Sequence, residues 1–291
     1  MEQKEILKNV RKIEIKTKQL VDGLLQGAYH SIFKGRGVEF STVREYVKGD
    51  DIRSIDWNVT ARMNKPFIKE FIEERDLNVY IIFDVSESNT FGSVREKKEV
   101  ATEIAASLMF AAHKNNDKVG LCLFTNTIEK YIPARKGKKH TLRLIREIIH
   151  HQPKQKETNL RNTLSKFANI LKKRSIVFII SDFITEDFTK PLKIMKKRHD
   201  VICLNLQDIR ESEIPDIGYI ELEDSETGEQ VLVDTSDPEF RKNYIKLVQK
   251  RNQDLKKKLE KLKIDLINIQ SNEPFEVPLK KFFRLRKRRI R

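Results

Sequence analysis

Residues 78–88 read NVYIIFDVSES. The run VYIIF is apolar, β-branched or aromatic, and contains no Gly or Pro, which predicts a strand buried on both faces. Asp84, Ser86 and Ser88 follow at alternate positions where the chain leaves that strand. Parallel α/β sheets bind ligands beyond the carboxyl ends of their strands, and three hard oxygen donors there suit Mg²⁺ or Mn²⁺. The alternative is that these side chains only cap a turn and the next helix.

The composition is that of a globular chain with a heavily charged surface. Its 291 residues are enough for one large domain or two modest ones, and 38% of them are hydrophobic while 35% are charged. No apolar run approaches the ~18 residues that cross a bilayer. The first residues, MEQKEILKNVRK, lack the apolar core of a signal peptide. We therefore expect a cytoplasmic protein in which Cys122 and Cys203 are buried thiols within apolar strands.

Positive charge is concentrated at the C-terminus. The net charge is +15, and the last 13 residues, LKKFFRLRKRRIR, contribute eight Lys or Arg residues and no acid. A basic tail at residues 286–291 indicates contact with nucleic acid, with the anionic surface of the inner membrane, with an acidic protein, or with solvent alone. Base stacking requires aromatic residues between the basic ones. The tail region offers only the adjacent Phe282 and Phe283, so nucleic acid is the weaker interpretation.

The order of predicted elements indicates an α/β fold with a doubly wound, mostly parallel, Rossmann-like sheet. A helix at residues 4–26 carries an apolar stripe that includes Val10 and Ile13. From residue 78 onward, apolar strands alternate with helices, and this order places helices on both faces of a parallel sheet. The predicted strands lie at about 78–84, 119–124, 128–132, 176–181, 201–206 and 264–269, the helices at about 95–115, 139–150, 160–173, 187–197, 237–263 and 275–284, and a hairpin at 218–234.

The segment at residues 31–76 differs from the rest because it mixes charges of both signs and contains Trp57, the sole tryptophan. We predict an ion-paired network around Trp57 as an aromatic anchor. Its members are Arg36, Glu39, Arg44, Glu45, Asp50, Asp51, Arg53, Asp56 and Arg62. Asp50, Asp51 and Asp56 also permit a metal-binding or nuclease-like acid cluster, but the neighbouring arginines favour ion pairs instead.

Two later positions extend the first motif. Asp182 follows the strand predicted at 176–181, so it leaves the sheet at a carboxyl end as Asp84 does. Thr158 precedes the helix predicted at 160–173, where it is either the helix cap or a further ligand. Order and strand positions together match a metal-ion-dependent adhesion site with the ligands Asp84, Ser86, Ser88, Thr158 and Asp182. In this constellation the chain resembles a von Willebrand factor A-type domain.

This resemblance implies a site for Mg²⁺, or for Mn²⁺ or Ca²⁺, that binds a protein partner. The hydroxyl ligands are neutral and the aspartates act directly or through water, so the cation keeps an open position that a partner's Asp or Glu can fill. No evident general base lies in these loops, because Glu87 sits between two serines and should point away from them. Two carboxylates with three hydroxyls also do not make a two-metal hydrolytic site. We therefore expect a binding protein rather than an enzyme.

A second resemblance covers most of the chain, from about residue 10 to 285. It rests on motifs in the segment and beyond it: KGRGVEF at 34–40, REY at 44–46, GDDIRSIDW at 49–57, TAR at 60–62, KEF at 69–71, EER at 73–75, SDF at 181–183, RHD at 198–200 and the hairpin DSETG at 224–228. In these the chain resembles the bacterial family named "domain of unknown function 58". The resemblance implies a von Willebrand A-like domain, and it implies work as an accessory partner of a MoxR-type AAA+ ATPase in chaperone-like or assembly tasks.

The family resemblance also suggests a division of the chain. Residues 1–76 form an N-terminal helix and a family-specific segment packed on a main domain of residues 77–285, and residues 286–291 form the basic tail. The chain departs from the family pattern at Asn89, where Met is usual. It also departs in the threonine loop, where Glu157 precedes Thr158 in place of Gly. Glu157 is therefore a candidate to alter cation affinity or to fill the open position itself.

Overall fold

The structure is a computed structural model that describes residues 10–17, 21, 29, 43–52, 55–63, 65–69, 77–86, 96–155, 157–223 and 230–290. The predicted ligand Ser88 lies outside the described residues. So do three predicted members of the charged network and two residues near the first motif, namely Arg36, Glu39, Arg53, Glu87 and Asn89.

From residue 78 onward the described strands and helices follow the predicted order, with one short helix in addition. The strands are β1 (Val43–Glu45), β2 (Phe67–Lys69), β3 (Asn78–Asp84), β4 (Lys118–Phe124), β5 (Ile128–Arg135), β6 (Ser175–Ser181), β7 (Asp200–Gln207), β8 (Tyr219–Glu223), β9 (Gln230–Asp234) and β10 (Asp265–Gln270). The helices are α1 (residues 10–17), α2 (Trp57–Met63), α3 (Lys97–Lys114), α4 (Lys138–His150), α5 (Leu160–Ile170), α6 (Thr189–Arg198), α7 (Ile209–Ser212), α8 (Pro238–Lys261) and α9 (Glu276–Ile290). The additional helix is α7, whereas β1, α2 and β2 lie in the charged segment, where no strand or helix was predicted.

Six strands form one sheet in the order β10–β7–β6–β3–β4–β5. All neighbouring strands are parallel except β5, which runs antiparallel to β4. Alternate residues of β3 face two separate apolar clusters. Val79, Ile81 and Phe83 pack with α3, α4 and α9, whereas Tyr80 and Ile82 pack with α5, α6 and α8. The predicted doubly wound α/β fold, with a central strand buried on both faces, is therefore confirmed.

The sheet has a topological switch point between β3 and β6. From β3 the chain crosses to β4 on one side, and it later returns to β6 on the other side. Connections that leave neighbouring strands in opposite directions open a crevice at the carboxyl ends of those strands, where ligands of such sheets bind. The residues at this crevice are Asp84, which ends β3, and Ser181, which ends β6.

The described part of the N-terminal helix, α1, packs against the apolar cluster that includes α3. Val10 is buried in the same cluster as α3, and Ile13 packs against that cluster. Lys16 forms an ion pair with Glu103 of α3, at 2.7 Å between Nζ and Oε1. Both cysteines, Cys122 and Cys203, are free and buried as expected.

Within the described residues the charged segment forms a predicted ion pair, Arg44 with Asp50, but lacks the predicted anchor. Arg44 binds Asp50 through two hydrogen bonds, at 2.7 and 2.8 Å, and the guanidinium lowers the pKa of Asp50. Asp56 accepts hydrogen bonds from the backbone N–H groups of residues 58 and 59 and so caps the start of α2. Glu45 forms an ion pair with Lys65 at 3.0 Å. Trp57 is 68% exposed, so its role as an aromatic anchor is wrong. Trp57 is the first residue of α2, none of whose residues is buried, and the other described members, Asp51 and Arg62, are also exposed.

The C-terminal part contains the predicted hairpin and the two basic helices. Helix α8 begins at Asp237, whose side chain accepts the N–H of Glu239, and Pro238 occupies its first turn as expected. Helix α9 continues to Ile290, through most of the residues for which the sequence predicts a basic tail. None of the described helices combines the length and the apolar character needed to cross a membrane.

Arg286, the first residue of the predicted tail, joins α9 to two strands of the main sheet. Its guanidinium forms ion pairs with Asp200 of β7 and Asp265 of β10, and only 14% of the side chain is exposed. Arg286→Ala should therefore lower the free energy of unfolding by about 2 kcal/mol, because two partly buried carboxylates lose a charged hydrogen-bond donor. Urea unfolding would measure the change.

Arg289→Ala is the matched control for this prediction. Arg289 also contacts Asp265, at 3.0 Å, but 70% of its side chain is exposed. Exposed ion pairs contribute little to stability. The free energy of unfolding of this variant should therefore lie within about 0.5 kcal/mol of the wild-type value. Equal effects of the two variants would contradict the structural role of Arg286.

Candidate metal site

Asp84 lies at the centre of the candidate site, at the carboxyl end of β3. Its carboxylate is 1% exposed. Oδ1 accepts the backbone N–H of Ser86 at 3.0 Å and the Ser86 hydroxyl at 2.7 Å. Oδ2 accepts the hydroxyl of Ser181, the last residue of β6, at 2.7 Å. The two strands that flank the switch point are thus joined through this carboxylate.

Asp182 provides the second carboxylate, one residue beyond β6, and is 5% exposed. The chain turns sharply after it, because Phe183 adopts a left-handed backbone with φ of 56°. Oδ1 of Asp182 accepts the N–H of Ile184 at 3.2 Å. Burial, together with the negative charge of Asp182, raises the pKa of Asp84 above its ordinary value. Two like charges in a site without solvent favour the binding of a cation between or beside them.

Thr158 reaches the same end of the sheet from a separate loop. Thr185 Oγ1 donates to the Thr158 carbonyl at 3.0 Å, which ties this loop to the turn that carries Asp182. Asn159 caps α5 by accepting the N–H of Asn162 at 2.8 Å, so the alternative that Thr158 is the helix cap is wrong. Oγ1 of Thr158 is buried and has no hydrogen-bond partner among the residues that the structure describes. A buried hydroxyl without a partner is costly, and a bound cation would satisfy it.

Sequence analysis missed two residues at this site, Lys97 and Glu211. Lys97 Nζ lies 3.2 Å from Asp182 Oδ2 and 2.6 Å from Glu211 Oε1, and its side chain is 0% exposed. Burial opposes the charge of the ammonium, but the carboxylates of Asp182 and Glu211 outweigh it and hold the pKa of Lys97 above its usual value. One feature could have pointed to Lys97. It is the first residue of α3, a helix whose residues from Val100 to Ala112 are all buried.

A polar groove of about 570 Å³ adjoins the site. Thr158 and Glu157 lie on its wall, together with Asn126, Asn162 and Lys166. Glu157 is exposed there. The groove gives a partner access to the loop that carries Thr158.

The donor set fits a small, hard cation that is held partly by neutral oxygens. Within the described ranges no group of three His, Cys, Asp or Glu residues is placed to hold a metal. Asp84 and Asp182 supply charge, and Ser86 and Thr158 supply hydroxyl oxygens, which are the donors that Mg²⁺ and Mn²⁺ accept. Of the five predicted ligands, the structure brings Asp84, Ser86 and Asp182 together and ties the Thr158 loop to the turn that follows Asp182.

Comparison with known proteins gives relatives of similar length. The chain is 28% identical over 283 residues to "Uncharacterized protein Rv1480" of Mycobacterium tuberculosis and equally to "Uncharacterized protein Mb1516" of Mycobacterium bovis, covering 96% of this chain and 89% of each relative. Among solved structures it is similar to BatB from Bacteroides thetaiotaomicron, with a TM-score of 0.48 and 15% identity over 73% of this chain and 99% of that chain.

A von Willebrand A domain, that of SpRpn10, is also similar, with a TM-score of 0.40 and 11% identity over 70% of this chain and 93% of that chain. The family described as "Protein of unknown function DUF58" matches residues 42–254, a range that includes most of the charged segment, β3, the Thr158 loop, β6 and most of α8. Because this match spans well over half of the sequence, the chain belongs to the DUF58 family.

Proposed function

We propose that this protein is a divalent-metal-dependent protein-interaction module. Asp84, Ser86, Thr158 and Asp182, with Ser88, would hold Mg²⁺ or a similar cation at the switch point of the sheet. When bound, the cation would offer a coordination position to an Asp or Glu side chain of a partner protein. The observation that carries the proposal is the buried Oγ1 of Thr158, which has no hydrogen-bond partner among the described residues and belongs to a loop that Thr185 ties to the turn after Asp182.

The surroundings of the site favour a polypeptide partner. The adjoining groove presents the amides of Asn126 and Asn162, and an ammonium at Lys166. Amide and ammonium groups form hydrogen bonds with backbone carbonyls and with carboxylates, so an extended acidic segment could bind there with one carboxylate on the cation. From the family resemblance we further propose that the partner system includes a MoxR-type AAA+ ATPase in the cytoplasm.

Binding, rather than hydrolysis, is the better match to the arrangement of acids. A general base must be free to accept a proton from water at the site. Asp84 accepts two hydroxyl hydrogen bonds, Asp182 is paired with Lys97, and Glu211 is paired with the same lysine. None of these three carboxylates is therefore placed as a free base.

Thr158→Val tests the proposal directly. In EDTA the melting temperature of the variant should be close to that of the wild type, because the lost hydroxyl has no partner among the described residues and Val keeps the shape of the side chain. In Mg²⁺ the variant should gain less stability, and its dissociation constant for the cation should rise about tenfold or more, as for other losses around metal sites. Thermal melts across a Mg²⁺ titration would measure both quantities.

Thr163→Val is the matched control. Thr163 Oγ1 is also buried without a hydrogen-bond partner in the described part of the chain, but it lies within α5. This variant should respond to Mg²⁺ as the wild type does. Binding to a MoxR-type ATPase at constant Mg²⁺ should weaken in Thr158→Val and persist in Thr163→Val. An unchanged Mg²⁺ response of Thr158→Val would refute the assignment of this hydroxyl.

A further inference from the structure

Lys97, together with Asp182 and Glu211, forms the least exposed group of ion pairs at the candidate site. The lysine opens α3, and its ammonium lies between Asp182, which follows β6, and Glu211 of α7. The lysine is separated from these partners by 85 and 114 residues in sequence, so the contact joins three distant elements. An ammonium without solvent contact must be paired with carboxylates to remain charged. Lys97 is therefore a fixed positive charge that directly contacts a proposed ligand of the cation.

Glu211 gives the ammonium a second partner that is itself held in place. Asp208 and Glu211 form a reciprocal cap at the start of α7, in which Glu211 Oε2 accepts the N–H of Asp208 at 3.2 Å. Tyr244 of α8 donates its hydroxyl to the Glu211 carbonyl at 3.0 Å. Because the Glu211 contact is the shorter of the two, Lys97 can remain paired with Glu211 when Asp182 turns towards another cation.

We propose that Lys97 is an internal counter-ion that competes with the divalent cation for Asp182 and thereby keeps the affinity of the site for metal low. This inference rests on the proposed function and names the residue that regulates the same site. When the protein alone holds the cation weakly, an additional carboxylate ligand from a partner adds the most to the binding free energy of the cation. Lys97 therefore makes tight metal binding depend on the acidic residue of the partner, so that metal and partner bind together.

Lys97→Met in the full chain tests the proposal. Methionine keeps most of the length and the apolar stem of the lysine and removes its charge. In EDTA the variant should melt at a lower temperature, because Asp182 and Glu211 lose their counter-ion. In isothermal titration with MgCl₂ its dissociation constant should fall at least tenfold below that of the wild type. Lys97→Arg, which keeps the charge, should retain weak binding.

Two further variants keep the test decisive. Lys16→Met removes another lysine that pairs with a buried acid of α3, Glu103, and it should leave Mg²⁺ affinity unchanged. If Lys97→Met does not fold, the double variant Lys97→Met with Glu211→Gln removes one charge of each sign and should bind Mg²⁺ more tightly than the wild type. If the wild type binds Mg²⁺ and neither Lys97→Met nor the double variant binds it more tightly, this inference is overturned and the proposed function stands. Absence of Mg²⁺ binding from the wild type and all Lys97 variants would overturn both.

Discussion

Asp84→Asn is expected to abolish the stabilisation that Mg²⁺ gives to the wild-type protein. At a free Mg²⁺ concentration one hundred times the dissociation constant, a single site adds about 2.7 kcal/mol to the free energy of unfolding. For a chain of this size such a gain raises the melting temperature by roughly 5–10 °C. The amide removes the charge that holds the cation, so thermal melts of the variant with and without Mg²⁺ should coincide.

In EDTA the same variant should remain folded and melt within a few degrees of the wild type. The remaining carbonyl oxygen can still accept from Ser86, and the loss of a buried charge beside Asp182 offsets a weaker contact to Ser181. Asp117→Asn is the control, because Asp117 is equally buried but precedes β4 at the opposite end of the sheet, where it accepts the N–H of Leu77. A Mg²⁺ shift that survives Asp84→Asn, or disappears in Asp117→Asn, would contradict a site at Asp84.

Gly120→Ala is expected to destabilise the protein by about 3 kcal/mol. A Cβ at this position of β4 would lie 2.4 and 2.6 Å from two ring atoms of Tyr80 and 3.0 Å from the backbone nitrogen of Ala134. The Tyr80 ring cannot move aside easily, because it stacks on Tyr131 and meets Phe167 edge-on, and its hydroxyl accepts the N–H of Ala134. Overpacking of a buried core commonly costs about 1–3 kcal/mol, and here a hydrogen bond is lost as well.

A double-mutant cycle with Tyr80→Leu would separate this clash from a general intolerance of Ala in β4. Leucine removes the ring atoms nearest to residue 120, so Gly120→Ala should cost less than about 1 kcal/mol in the Tyr80→Leu background. Urea unfolding of the four proteins would give the coupling energy. An undiminished cost in that background would show that the backbone of Ala134, and not the ring of Tyr80, excludes a side chain at residue 120.

The fold and the position of the site were predictable because they depend on local patterns. An apolar run that ends in an acid, as at Asp84 and again at Asp182, specifies both a buried strand and the residue at its carboxyl end. Parallel pairing then places these ends together without further information. The same logic predicted α8 from Asp237 and Pro238, whose cap needs only the next few residues.

Features that depend on distant contacts were not predictable. The Lys97 contacts span 85 and 114 residues, and no local pattern indicates which acid will meet a lysine. The cap of α5 was also not predictable, because two neighbouring residues suit that role. Thr158 and Asn159 are both good helix caps, and only the structure shows that Asn159 caps α5. The exposure of Trp57 was missed because tryptophan is usually largely buried, and that tendency says nothing about the position of a short helix.

The chain order of the site residues has a consequence for biosynthesis. Every described residue of the site lies between Asp84 and Glu211, whereas β10 and the two basic helices are translated later. β10 pairs only with β7 among the described strands, at the outer edge of the sheet. A nascent chain on the ribosome therefore carries strands β3, β4, β6 and β7, and with them every described residue of the crevice, before the residues that follow Glu211 have emerged. Domains fold from the N-terminal side during translation, so assembly of this site need not wait for release of the finished chain.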